Sequence, residues 1–378
     1  MMTPKERLLA AMRRQETDYL PCAPNFWASP SADGYRWRNE KERLEVVTRK
    51  LGLDACLWVD IQTACHPDVK VRTWQDNPAG EPFPVLHKAF DTPGGILEAA
   101  VRVTEDWPHG ADVPLISDFN VSRYIKPWLQ TSGDVENLRF ILQPPGREEI
   151  LRFRETLKNV RVLAEEFQVP VAAVYTLGLT TALHFFGAEK AVLLSVDEPE
   201  IISRYLEIQR LADDRILDIL LDTKEVDFVR RDGFYESTDF WSPAQFEKWI
   251  LPWFTKEVAL AHQSGRPVTY QLCTGIMPLL PLLSRIEFDC LDTIEPALGH
   301  QDMPEITRCL GERKSFWTGL SGPEHLCRGN ESSVRAAVRT AVETWGRKGF
   351  ILGAVPSIRP QWPWENVLAM FDEWRKIR

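Results

Sequence analysis

The chain has no glycine-rich dinucleotide fingerprint, no phosphate loop, no metalloprotease helix, no C-x-x-C pair and no nucleophile elbow. These absences speak against a nicotinamide enzyme, an NTPase, a zincin and an α/β-hydrolase. They weigh less than a positive motif would, because barrel enzymes gather their sites from distant strands. Paired cysteine spacing is missing too. The seven cysteines stand at 22, 56, 65, 273, 290, 309 and 327, an odd and unpatterned set that reads as reduced thiols. No run approaches the roughly 18 apolar residues of a membrane span, and the opening Met1-Met-Thr-Pro-Lys-Glu-Arg lacks an apolar signal core. A cytoplasmic protein with no membrane partner is expected. Excess positive charge is absent: the net charge of −9 argues against a nucleic-acid partner.

What is present is an ordinary globular composition, 44% hydrophobic and 26% charged, long enough to bury a large core. Tryptophan is abundant, at fourteen. Trp27, Trp58, Trp241 and Trp317 fall near polar loop positions, either walling an organic ligand or packing in the core.

Periodicity organises the chain. Thr3-Pro4-Lys5-Glu6 starts a helix, with Thr as N-cap and Pro in the first turn. From Glu148 onward helices and strands alternate, and strands centred near 23, 57, 172, 229, 270, 292, 317 and 351 make the eight of a closed (β/α)8 barrel. Val69–Trp74 and Ile96–Val103 instead alternate apolar with polar, separated by Pro and Gly. They predict an antiparallel hairpin excursion over about 67–130. One domain, 1–378, is expected.

In such a barrel the chemistry sits where strands end. Arg230-Arg231-Asp232 followed by Tyr235 and Glu236 is the richest cluster, with either an acid–base and anion-anchoring role or a structural ion-pair network. Glu295 ends the sixth strand and Asp60 the second. Asp232, Glu236, Glu295 and Asp60 are the catalytic candidates. Asn25, Trp27, Gln62, Tyr175, Arg230, Arg231, Tyr235, Gln271, Trp317 and Ser357 are the candidate contacts for a small-molecule substrate. His66 and His300 lie in loops after strands, and His184 lies inside a helix and reads as packing.

Three stretches, Thr3–Met12 with Asp18–Pro21, Gly265–Pro296, and Gly349–Ile358 with Pro363–Met370, resemble the uroporphyrinogen decarboxylase superfamily. The resemblance implies a β/α barrel. It also implies one of two activities: decarboxylation of porphyrinogens, or methyl exchange with a corrinoid. Neither specialised signature is intact. Pro24-Asn-Phe-Trp-Ala-Ser29 stands where decarboxylases carry carboxylate-gripping arginines, Asp60 is one place out of step, and Pro356 falls near their late histidine. The zinc methyltransferases use His-x-Cys on the fifth strand and a late cysteine. Here Gln271-Leu-Cys273 keeps one ligand of three, and Gln is a poor zinc ligand. Cys273 is either a small buried residue or part of a rebuilt zinc site with Glu236, Asp232 or Glu295. The expectation is methyl transfer between a small methylated substrate and a corrinoid held by a partner protein. Decarboxylation of a small acid, with Arg230 and Arg231 holding carboxylates, is the alternative, and a non-catalytic ligand-binding barrel is a third. A homodimer is left open.

Overall fold

The computed structural model describes all residues, 1–378. The chain divides into two compact units: Met1–Asp60 with Arg154–Thr176 and Leu220–Arg378, and Ile61–Phe153 with Leu177–Ile219.

The first unit is built on a parallel sheet of seven strands in the order β1 (Leu57–Val59), β6 (Val171–Thr176), β7 (Phe228–Asp232), β8 (Val268–Gln271), β9 (Cys290–Asp292), β10 (Ser315–Ser321) and β11 (Phe350–Val355). The eighth strand expected near residue 23 is reduced to isolated parallel bridges, Cys22 to Leu352 and Phe26 to Ile358. Pro21 and Pro24 explain this, since proline donates nothing to a ladder. The segment still touches both sheet ends: Ala23 donates to the Leu352 carbonyl, and Asp54 N–H donates to the Cys22 carbonyl at 2.8 Å.

Ala172, Phe228, Cys290 and Ile351 stand at the first or second positions of their strands. They share one buried cluster with Leu8, Ala11 and Met12 of the helix Pro4–Met12. That helix therefore fills the end where strands begin. It starts as the sequence predicts, with a capping box between Thr3 and Glu6 and Pro4 in the first turn, a cap that stabilises by about 1 kcal/mol. Its buried Arg7 reaches Asp54 and, at 2.7 Å, Asp18. The opposite end, where strands finish, is left to polar side chains.

The second unit contains a four-stranded antiparallel sheet, β2 (Lys70–Asp76), β3 (Val85–Thr92), β4 (Gly95–Arg102) and β5 (Tyr124–Lys126), in that order. It is larger than the hairpin expected. The two predicted strands do not pair with each other; each pairs with β3 between them. Phe90 and Leu97 are buried, and Phe90 packs on Trp128 at 5.4 Å between ring centroids. His184 is buried in a helix and its carbonyl accepts from the Tyr124 hydroxyl at 2.6 Å, a packing position.

Candidate active site

Register decides which side of the parallel sheet each candidate faces. Arg230 pairs with Thr269 and Thr269 with Cys290, while Arg231 pairs with Tyr270 and Tyr270 with Leu291. Side chains alternate along a strand, so Arg230 and Asp232 share the side of Phe228, inside the unit's core cluster. Arg231 points the other way, toward the helix Leu251–Gln263.

There Arg231 is fully engaged. Its Nε and one terminal nitrogen donate to Glu236 at 2.9 and 2.6 Å, and the other terminal nitrogen donates to Glu257 at 2.7 Å. The Tyr270 hydroxyl adds a bond to Glu236 at 3.0 Å, and the Tyr175 hydroxyl one to Glu257 at 2.9 Å. Burial works against the guanidinium charge, but Glu236 and Glu257 outweigh it and hold its pKa well above the ordinary value. The same burial, with a carboxylate alongside, raises both tyrosines. Gly233 is required beside this network: a Cβ there would lie 2.4 Å from Glu236 Oε2 and 2.5 Å from the Tyr270 ring. Arg231, Glu236 and Tyr175, expected at the barrel mouth, thus form the structural ion-pair network that was the other reading of this loop. Glu257 and Tyr270 complete it. The sequence offered one signal for Glu257: it sits among Phe254, Val258 and Ala261, on the buried stripe of its helix.

Arg230 is the inward arginine. It pairs with Asp292, and its guanidinium carbon lies 3.9 Å from the Trp58 ring centroid and 5.8 Å from that of Trp317. Its Nε is buried without a hydrogen-bond partner. Asp292, which no sequence argument singled out, also accepts from the Thr293 hydroxyl at 2.9 Å. Burial raises its pKa, with Arg230 opposing. In register with Asp292, the Gln271 amide, oriented with nitrogen toward Asp232, donates to that carboxylate at 2.8 Å. Ser357, just past β11, buries a hydroxyl with no partner.

Trp58 and Trp317 also wall a cavity of about 370 Å³. It opens between the residue 23–28 segment and β1, beyond the single turn of contact at Cys22 and Asp54. Asn25, Trp27 and Trp317, three of the expected substrate contacts, line it with Trp37, Trp58 and the pair Glu40–Arg43. Trp317 is held in place by its indole N–H, which donates to the Ala23 carbonyl at 2.8 Å. Trp241 is instead a core residue, buried with its N–H on the Tyr235 carbonyl at 2.9 Å. Asp60 and Gln62 are exposed.

Glu295 and Cys273 are neighbours at the strand ends, where Glu295 N–H donates to the Cys273 carbonyl at 2.9 Å. Burial raises the Glu295 carboxyl. Burial first, then Glu295 and Asp239, push the Cys273 thiol up. A zinc centre does not fit these residues. No three His, Cys, Asp or Glu side chains converge as a metal site, and both Glu236 oxygens are taken by Arg231 and Tyr270.

A methyltransferase from Methanosarcina mazei superposes with a TM-score of 0.59 at 17% identity, covering 100% of this chain and 99% of its own. A B12-independent methionine synthase from Shewanella sp. W3-18-1, in complex with selenomethionine, gives a TM-score of 0.43 at 10% identity, covering 94% and 96%. No curated protein sequence matches. Residues 103–377, well over half of the sequence, match the uroporphyrinogen decarboxylase (URO-D) family, and the chain belongs to that family.

Proposed function

We propose that this protein moves a methyl group between a small methylated substrate and a corrinoid carried by a separate protein. The observation that carries the reading is the charge balance of the tryptophan cavity. Four tryptophans line it, and two cations beside it are matched by carboxylates, Arg43 by Glu40 and Arg230 by Asp292, while Arg359 lies over the Trp27 ring. A polycarboxylate porphyrinogen would find little to neutralise it there, whereas a compact, largely apolar ligand suits the walls and the volume. We also read the residue 21–27 segment as the closing member of a (β/α)8 barrel, since it bonds to Leu352 on one side and Asp54 on the other.

In such a transfer the bond from methyl carbon to heteroatom breaks. The heteroatom keeps the electron pair and takes a proton. The corrinoid supplies the methyl acceptor when its carrier docks. We assign the proton to Glu295, the carboxyl that burial shifts toward its neutral form without an arginine partner. Arg230 Nε and the Ser357 hydroxyl, two buried groups without a hydrogen-bond partner, are assigned to a polar atom of the substrate. Asp232, oriented by Gln271, is assigned to positioning. The test is a panel of methyl ethers and methylamines supplied with reduced corrinoid protein. Turnover of at least one, lost in Glu295→Gln, is expected; no demethylation across the panel counts against the proposal.

Decarboxylation of a small acid is the second reading, favoured by the free Nε of Arg230, which could take one carboxylate. Release of CO2 without any corrinoid separates it from the first.

A further inference from the structure

Strand β2 is the outer strand of the antiparallel sheet. It pairs with β3 in unbroken register from Lys70–Asp91 to Asp76–Val85, and no strand lies on its other side. All seven residues are exposed. Alternate residues of an antiparallel strand turn N–H and C=O to the same side, so β2 presents an open row of donors and acceptors. Proteins usually blunt such an edge with charged side chains, proline, a bulge, a very short strand or a covering segment. β2 carries the charges Lys70, Arg72 and Asp76, of both signs, but no proline and no register shift, and it runs for seven residues.

The sequence of this edge, Lys70-Val-Arg-Thr-Trp-Gln-Asp76, is complementary to itself. Laid antiparallel against a copy about Thr73, Lys70 meets Asp76, Arg72 meets Trp74, Val71 meets Gln75, and Thr73 meets Thr73. Opposite charges sit at both ends, cation and indole face each other inside them, and a Thr–Thr pair lies at the centre. The charged, cation–indole and Thr–Thr pairs are favourable cross-strand pairs. Either set of outward-facing backbone groups is symmetric about Thr73, so the hydrogen bonds match as well. Slipping two places toward the start of the strand opposes Arg72 to Arg72, and slipping the other way strands Lys70 and Val71. Trp74, stacked on His87 at 4.8 Å within its own sheet and 36% exposed, and Val71, 53% exposed, supply apolar area at the contact.

We propose that β2 is the contact of a two-fold homodimer, in which the β2 strands of two copies pair antiparallel about Thr73 and join two four-stranded sheets into one of eight. A contact of one strand pair lies at the small end of protein interfaces, so the dimer is concentration-dependent. The test is sedimentation velocity of the full-length protein over a concentration series, with Lys70→Asp, Asp76→Lys and an equimolar mixture of the two variants. Each single change places like charges opposite each other at both ends of the contact, and the dissociation constant should rise by about tenfold or more. Mixing the variants restores opposite charges at both ends and should restore the dimer, which also shows that each variant is folded. A wild-type protein that stays monomeric, including one whose edge accepts a strand only from a different protein, overturns the proposal. A dimer indifferent to both reversals does the same.

Discussion

Replacing Arg231 by Met tests the sidedness of the two adjacent arginines. The change removes one guanidinium shared by two buried carboxylates. The bonds from the Tyr270 hydroxyl to Glu236 and from the Tyr175 hydroxyl to Glu257 remain. Three charge-assisted bonds go, at 2.6, 2.7 and 2.9 Å. Each is worth about 1.5–3 kcal/mol, but relaxation and protonation of a stranded carboxylate return part of that. Breaking a buried ion pair from one side costs about 3–5 kcal/mol, and that is the expected loss. With a urea m-value of about 3 kcal/mol/M for a chain of this size, the unfolding midpoint should fall by about 1–1.7 M. Adding Glu236→Gln and Glu257→Gln should recover most of the stability by removing the unpaired charges. Equilibrium urea unfolding of the three proteins is the assay. An Arg231→Met protein that unfolds like the wild type but no longer binds substrate would refute the outward placement of this residue.

Other changes give equally direct readings. Gly233→Ala forces a methyl group between Glu236 and the Tyr270 ring and should cost about 1–3 kcal/mol by overpacking, seen as a lower thermal midpoint. Because folding raises the Glu295 carboxyl, its contribution to stability is full below its unfolded pKa and is lost as pH rises through the raised value. Glu295→Gln keeps an acceptor for Ala297 N–H, so it should be more stable than wild type near neutral pH, with the gap closing in acid. Trp317→Phe removes the indole bond to Ala23 and should cost about 1–3 kcal/mol through the unsatisfied carbonyl, while weakening ligand binding measured by calorimetry.

Much of the parallel sheet was legible because buried strands bounded by helices read as apolar runs at regular spacing. The helix start at Thr3-Pro4 and the turn-rich excursion were legible from local chemistry. The side faced by Arg230 and Arg231 was not. Strands of a parallel sheet are buried on both faces, so Phe228–Asp232 carries no alternation that reveals parity; the register with Thr269 and Tyr270 is needed. The same limit hid Asp292, which ends a strand of three residues. β3 escaped notice because its charged residues interrupt the run. The weak first strand follows from its prolines. The aromatic cavity was partly readable, since Trp27, Trp58 and Trp317 stand in or beside expected strands, but its second wall comes from Trp37 and the Glu40–Arg43 pair on the segment that carries the helix Glu40–Leu44. No spacing rule links that segment to the site.

Of all the readings, methyl transfer is tested most directly by following the fate of carbon. A carboxyl-bearing substrate from the methyl-ether and methylamine panel would be supplied in methyl-labelled and carboxyl-labelled forms, with and without reduced corrinoid protein. The account predicts that methyl label reaches the corrinoid fraction, that none moves when the corrinoid is omitted, and that carboxyl label stays in the product. Carboxyl label released as CO2 in the absence of corrinoid would contradict it and establish the decarboxylase reading instead.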